Sequence, residues 1–367
     1  MSLFNIVAAL SIDNSEKDEH IPYPMIGRFD KQTKRIIYWK MAYVYFAVSA
    51  RINPRRNHIL FTNDDSHPVF NGFDFKQELQ RLGVDVRILP FSKYYLPGRL
   101  GKFKNTLYKI EVYDQLQYLK NCSVLTDIDC LWASKWENLG RLLDQYDLLV
   151  LNRSAQQPPE KRDRIMSEMG DVFRQIDPEY PARYPHWYGG GFIGGKPGSF
   201  RILSESAKRL FDLLVDRAQS GVVYTLPFNG ESMLDGDENI QSYVCNATQM
   251  KLYDASDYVR IVFRARRFSN ATPEVYQYPV WHLASEKLRG LSLLFQEIKS
   301  SRSVFWSLPK DEIKYFLGRY AGIESKPLGL KVRGLIDRSA TTLAALGRPR
   351  RFANHLKHYI LLLLGLR

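Results

Sequence analysis

The chain has 367 residues, 45% of them hydrophobic and 25% charged, a globular balance with room for a large core that excludes disorder over most of its length. Its 52 Lys and Arg against 39 Asp and Glu leave a formal net charge of +13, which suits nucleic acid, an anionic membrane surface or a phosphate-bearing substrate. No zinc-finger spacing and no RNA-binding aromatic signature accompany that charge, which argues against nucleic acid.

In chain order, Ile6 to Ile12 is a continuous apolar run, the pattern of a central parallel strand. The residues before it lack the basic region of a signal peptide and are too few to span a bilayer. The three cysteines (Cys122, Cys130, Cys245) are odd in number and show no metal-ligand spacing. Together these features predict a cytoplasmic protein in a reducing compartment, without a disulfide framework. Tyr38 to Ala50 is apolar at helical spacing, and His58 to Asp64 is the next strand. Phe73 to Leu82 is helical and closes on Gly83, Val84 to Pro90 is a third strand, and Phe103 to Leu119 is a periodic helix.

That helix leads into Ser-Val-Leu-Thr-Asp-Ile-Asp-Cys-Leu-Trp, residues 123–132. Read as a strand, it places Asp127 and Asp129 on one side, where two carboxylates can ligate a hard cation such as Mg²⁺ or Mn²⁺. Taken alone, Asp-x-Asp fits better a strand-end turn with two solvated carboxylates. The alternation of strands and helices predicts a doubly wound α/β domain with a mostly parallel sheet. Ligands bind such sheets at the carboxyl ends of the strands, where this pair falls, and that is the first support for a functional site.

Asp147 to Asn152 is another buried strand, and the polar stretch 153–184 reads as a partly helical surface excursion. Trp-Tyr-Gly-Gly-Gly-Phe-Ile-Gly-Gly, residues 187–195, suits a strand approached closely by a ligand or another segment, and equally a Gly-rich bulge. Phe200 to Ala218 is a helix, and Asp235 to Tyr243 is an acidic turn entering another. There Asp237 and Glu238 are either helix N-terminal charges or groups that orient a hydroxyl or act as a base. Val259 to Arg267 reads as an edge strand. His282 with Lys287 offers one metal ligand and one phosphate partner, although a lone His after an apolar run is more often structural. From Ser300 onward the chain is helical and basic. Its end, with Arg348, Arg350, Arg351 and an apolar Tyr359 to Leu364, suits either an anionic leaflet or packing on the body.

In this order the segments resemble the GT-A-fold glycosyltransferases over roughly residues 4 to 290. Asn105 to Tyr113 followed by Val124 to Asp129 is similar to their helix running into the Asp-x-Asp strand. Gly189 to Gly195 is similar to the strand that follows in glycosyltransferase families 6 and 8. Asp237-Glu-Asn-Ile-Gln241 is similar to their acidic helix start, and His282 with Lys287 to the late His-x-x-Gly-x-x-Lys element of family 8. Here that element reads His-Leu-Ala-Ser-Glu-Lys, without the glycine and one residue shorter.

The resemblance implies a GT-A (Rossmann-like) domain over residues 1–295 with a basic helical extension over 296–367. It implies transfer of a hexose from a nucleotide-diphosphate donor, a UDP-sugar first, to a hydroxyl of a glycan or glycolipid, with retention and with Mn²⁺ or Mg²⁺. Asp127, Asp129 and His282 would hold the metal. Asp127, Lys109, Arg99, Lys102, Gly189, Gly190, Gly191 and Lys287 would meet the donor, and Asp237 and Glu238 would hold sugar hydroxyls or handle the acceptor proton. The basic tail would place the enzyme at the inner leaflet. Two other readings stand beside this one. A sugar nucleotidyltransferase is disfavoured, because Leu10-Ser-Ile-Asp-Asn-Ser lacks the expected Gly-rich loop. A catalytically silent scaffold remains open.

Overall fold

The computed structural model describes residues 3–12, 30–96, 100–265 and 268–324. Strand β1 (Phe4–Leu10) is the expected apolar run. Helix α1 (Lys31–Ile52) starts where the Asp30 carboxylate accepts the Thr33 N–H at 2.8 Å, a side-chain cap of about 1 kcal/mol. Then come β2 (Asn57–Thr62), α2 (Phe75–Arg81), β3 (Val84–Ile88), α3 (Tyr108–Leu116) and β4 (Cys122–Thr126). Gly83 ends α2 at φ 77°, the left-handed conformation expected of a glycine cap. The helix expected over 103–119 divides into a 3₁₀ turn at Lys104–Leu107 and the shorter α3.

The chain continues through β5 (Cys130–Trp132), α4 (Leu139–Gln145), β6 (Leu148–Asn152), α5 (Pro159–Ile176), β7 (Tyr188–Gly195) and α6 (Pro197–Gln219). After a short hairpin at 225–232 follow α7 (Asp237–Ala247), β8 (Leu252–Asp254), β9 (Val259–Ile261), β10 (Val280–His282), α8 (Gly290–Ile298) and α9 (Lys310–Ala321).

Seven strands form the main sheet in the order β3-β2-β1-β4-β7-β6-β8. All pairings are parallel except those of β7, which runs antiparallel to both β4 and β6. This is the mostly parallel, helix-flanked α/β sheet expected of a GT-A fold. Both faces of its inner strands are buried, as parallel strands require, while the edge strands β3 and β8 are partly exposed. Ile6, Ala8, Val124 and Leu149 pack on one side with α1, α2, α8 and α9. Val7, Leu125, Val150 and Ile193 pack on the other with α3, α5, α6 and α7. The period-2 alternation of a strand thus feeds two cores.

A second sheet, in the order β9-β10-β5, stands at the carboxyl edge of the first. The edge strand expected over 259–267 is only β9, since Arg264 and Ala265 belong to a separate hairpin. Residues 310–321 carry Ile313, Phe316 and Leu317 into the same core as α1 and α8. The basic tail from residue 325, including the candidate membrane contact, lies outside the described residues, as does Arg99. Among the described residues no helix is long and apolar enough to cross a membrane.

Candidate active site

The Asp-x-Asp segment is not a strand. β4 ends at Thr126, and Asp127 to Asp129 form a turn closed by the Cys130 N–H donating to the Asp127 carbonyl at 3.0 Å. The turn, rather than strand periodicity, brings both carboxylates to one place. The Asp127 N–H donates to the Gly191 carbonyl at 3.2 Å, and the Asp129 carbonyl accepts the Leu283 N–H at 2.9 Å. Because β5 leaves this turn and pairs antiparallel with β10, Cys130 stands opposite His282. A residue 153 positions away is thereby delivered to the carboxylates.

His282 Nε2 lies 3.2 Å from Asp129 Oδ1 and 3.7 Å from Asp127 Oδ2. Lys287 Nζ lies 3.0 Å from Asp129 Oδ2, so the shortened late element still reaches the pair. It does so through a tight loop, in which the buried Glu286 carboxylate accepts the Gly290 N–H at 3.0 Å. Lys109, in the first turn of α3, lies 2.8 Å from Asp127 Oδ1, 2.7 Å from Asp237 Oδ2 and 2.9 Å from the Gly190 carbonyl. Arg153, one residue beyond β6, lies 2.5 Å from Glu238 Oε2 and 3.7 Å over the Trp187 ring. These groups line one cleft of about 240 Å³ with Tyr38 of α1.

Gly189 to Gly191 serve these side chains. A Cβ on Gly189 would lie 2.8 Å from Arg153 Cδ, one on Gly190 2.1 Å from Asp237 Oδ2, and one on Gly191 2.5 Å from His282 Nδ1. All three are closer than real Cβ contacts allow, so glycine is what lets three polar side chains lie on β7. The close approach expected of a ligand is thus made by the site's own side chains. Lys102 is exposed, stands over the Phe103 ring at 5.0 Å and is not part of the cleft wall.

The charges are strongly coupled. Burial pushes Asp129 up, but Lys287 and then His282 outweigh it and hold the carboxyl well below the usual range. Burial pulls His282 down, and Asp129 more than restores it, leaving it raised. Burial likewise opposes Lys109, yet Asp127 and Asp237 keep it firmly protonated. For Asp237, burial and the neighbouring Asp127 and Glu238 outweigh Lys109 and lift it to about 6, whereas Arg153 holds the half-buried Glu238 below its usual value. Neighbouring carboxylates pushed apart in this way suit different tasks.

The residues fit a divalent cation. Asp129 is 1% exposed, yet neither of its oxygens meets a donor in hydrogen-bond geometry, and His282 Nδ1 is also without a partner. The 3.2 and 3.7 Å separations among Asp127, Asp129 and His282 are near the edges of about 3 Å expected for metal–ligand bonds of about 2.1 Å. Asp129 and His282 also form a potential ligand group with Cys130. Burial and the Asp129 and Asp127 carboxylates push the Cys130 thiol well up, and its Sγ–H is already used, donating to the Gly191 carbonyl at 3.4 Å. The working donor set is therefore oxygen and imidazole, which suits Mn²⁺ or Mg²⁺.

No protein-family model matches the sequence, and no curated protein matches it. Among solved structures the chain is similar to mouse xyloside xylosyltransferase 1 in its apo form. The identity is 11% and the TM-score 0.44, over 76% of this chain and 97% of that one.

Proposed function

We propose that the chain is a metal-dependent glycosyltransferase that moves a hexose from a nucleotide-diphosphate sugar, a UDP-sugar first among them, to a hydroxyl of a glycan or glycolipid. The observation that carries this reading is the meeting of Asp127, Asp129, His282 and Lys287 in one cleft at the carboxyl edge of the sheet. Asp127, Asp129 and His282 would hold Mn²⁺ or Mg²⁺, which supplies Lewis-acid neutralisation of a diphosphate leaving group. Lys287 adds a second positive contact to that group. Lys109 keeps Asp127 and Asp237 at fixed separation from each other. In the reaction the bond from the anomeric carbon to the phosphate oxygen breaks, and the bond to the acceptor oxygen forms. The acceptor proton passes to the departing phosphate or to Asp237, while ionised Glu238 accepts from a sugar hydroxyl. We favour retention, as the resemblance to families 6 and 8 implies.

In this proposal residues 1–295 are the catalytic unit and 296–367 a C-terminal extension, and the enzyme works in the cytoplasm at the inner leaflet. Replacing Arg348, Arg350 and Arg351 by Glu is then expected to abolish binding of the full chain to anionic vesicles; unchanged binding rejects the membrane role.

The deciding experiment is the unfolding midpoint of the pure protein with UDP, GDP, CDP or dTDP, each with Mn²⁺ and with EDTA. Binding to the native state alone raises stability by about 2.7 kcal/mol at a hundredfold excess over Kd. A metal-dependent rise with one nucleotide supports the site and names the base. No rise with any of the four leaves the silent scaffold as the better reading.

A further inference from the structure

Among the described residues, Arg153 is the charged cleft residue for which this chemistry has no assigned use. Its backbone is fixed by the Arg153 N–H donating to the Trp187 carbonyl at 2.8 Å, and its guanidinium carbon lies 3.7 Å over the Trp187 ring. Nη1 meets Glu238 Oε2 at 2.5 Å. Among the described residues that is its side chain's only hydrogen bond, so Nε and Nη2 have no protein acceptor, in a side chain 22% exposed at the cleft wall.

The position of that guanidinium follows from β7. His282 lies over Gly191, Lys109 and Asp237 over Gly190, and Arg153 over Gly189. Gly189 and Gly191 are two residues apart on β7, which is bulged there, so at about 3.3 Å of rise per residue Arg153 stands roughly 7 Å from the His282 end, where the diphosphate would sit. A hexose laid from the diphosphate along the strand brings its far edge, or the acceptor beyond it, to Arg153.

We infer that Arg153 reads an anionic oxygen group, a carboxylate or a phosphate, on a sugar in this cleft, which makes the substrate acidic. This rests on the glycosyltransferase reading above. A guanidinium held over an aromatic ring with two adjacent donors open matches the paired oxygens of such a group, whereas a neutral hydroxyl uses one donor at most. The Trp187 ring supports the guanidinium, and the single-oxygen pairing to Glu238 leaves that edge open. Two sources present the same chemistry: a uronic acid as the donor sugar, or an acceptor carrying a carboxylate or phosphate.

The test measures binding to the full chain with Mn²⁺. One arm compares UDP-glucuronate with UDP-glucose; the other compares glucuronate and glucose 6-phosphate with glucose in the presence of UDP. One arm is expected to show a preference for the acidic ligand of about tenfold or more, and that arm names the source. Arg153→Gln removes the preference while leaving the affinity for UDP alone unchanged. Glu238→Gln keeps the guanidinium seated on Trp187, removes the competing carboxylate and raises the preference. If Arg153 only neutralises Glu238, Arg153→Gln weakens acidic and neutral ligands alike and Glu238→Gln raises nothing, which overturns the inference. Metal-dependent UDP binding with no acidic preference in either arm also overturns it and leaves the glycosyltransferase reading standing. Absence of binding by the wild type to UDP, GDP, CDP and dTDP alike overturns both.

Discussion

Two buried carboxylates, Asp64 and Asp129, stand just beyond the carboxyl ends of β2 and β4 in the same sheet, and they are held differently. Asp64 accepts from Arg35 Nε at 2.6 Å, Arg35 Nη2 at 2.7 Å and Trp39 Nε1 at 2.8 Å. Asp129 faces Lys287 and His282 at 3.0 and 3.2 Å, with neither oxygen in hydrogen-bond alignment. Burial pushes both carboxyls up, and in both the cationic neighbours more than reverse it. The same direction of shift therefore accompanies two different states of completion. Asp64 joins α1 to β2 with its oxygens satisfied, whereas Asp129 keeps its charge and leaves its lone pairs available.

Breaking each carboxylate in turn separates the two roles. Asp129→Asn removes a metal-binding charge, so turnover with a nucleotide-sugar donor is expected to fall on the order of 10³-fold, about 4 kcal/mol. Steady-state kinetics with Mn²⁺ check this, and a loss under tenfold would place the metal elsewhere. Asp64→Asn breaks a buried, bidentate pair and leaves Arg35 uncompensated, at about 3 kcal/mol of folding stability. Urea unfolding reads that loss, and the KM for the donor should stay at its wild-type value.

Gly191→Ala sharpens the comparison without touching a charge. Its Cβ would lie 2.5 Å from His282 Nδ1 and must displace the imidazole, so Mn²⁺ affinity is expected to drop about ten- to a hundredfold. Gly198→Ala, where a Cβ meets nothing within 4 Å, is the matching control, and metal titration by calorimetry compares them. The smallest effect concerns pH. His58, buried between β2 and α1 beside Ser49, is pulled by burial from 6.5 to about 4. The unfolded chain then binds its proton first, so stability is full above pH 6.5 and is lost as pH falls towards 4. About 2 kcal/mol should go between pH 7.5 and pH 5. The depressed carboxyls of Asp64 and Asp129 lose their contribution only below the usual carboxylate range. Urea midpoints across that window should fall for the wild type and stay flatter for His58→Gln.

Much of the frame was legible because both faces of the inner strands β1, β2 and β6 are covered and read as apolar runs, while the edge strand β3 reads by the alternation of Val-Asp-Val-Arg-Ile. β1, β2, β3 and β6 lie within a few residues of their expected bounds. Strand direction leaves no periodic signal, so the reversal of β7 was not readable from its glycines. Asp127, Asp129, His282 and Lys287 do meet, but through a turn and a second three-stranded sheet, whose short strands carry too little pattern to be seen. Arg153 was missed because it opens a polar segment that looks like surface, and its value comes from Trp187 and Glu238, remote in sequence. Tyr38 was hidden inside an apolar helix, where one polar atom does not disturb the period. Cys130 carried a signal, since a thiol next to a buried Asp falls into the same ligand cluster, yet its spacing matched no metal pattern.

Helix α1 is enclosed around most of its circumference, with residues from Thr33 to Ile52 buried on several faces. A segment packed this way opens only with the body of the protein, not by local fraying. The wall of the cleft that carries Tyr38 and Met41 is therefore an anvil. Room for an incoming sugar has to be made elsewhere in the lining, which includes Phe103, latched with residue 102 to Asp235, whose carboxylate and carbonyl accept their two backbone N–H groups.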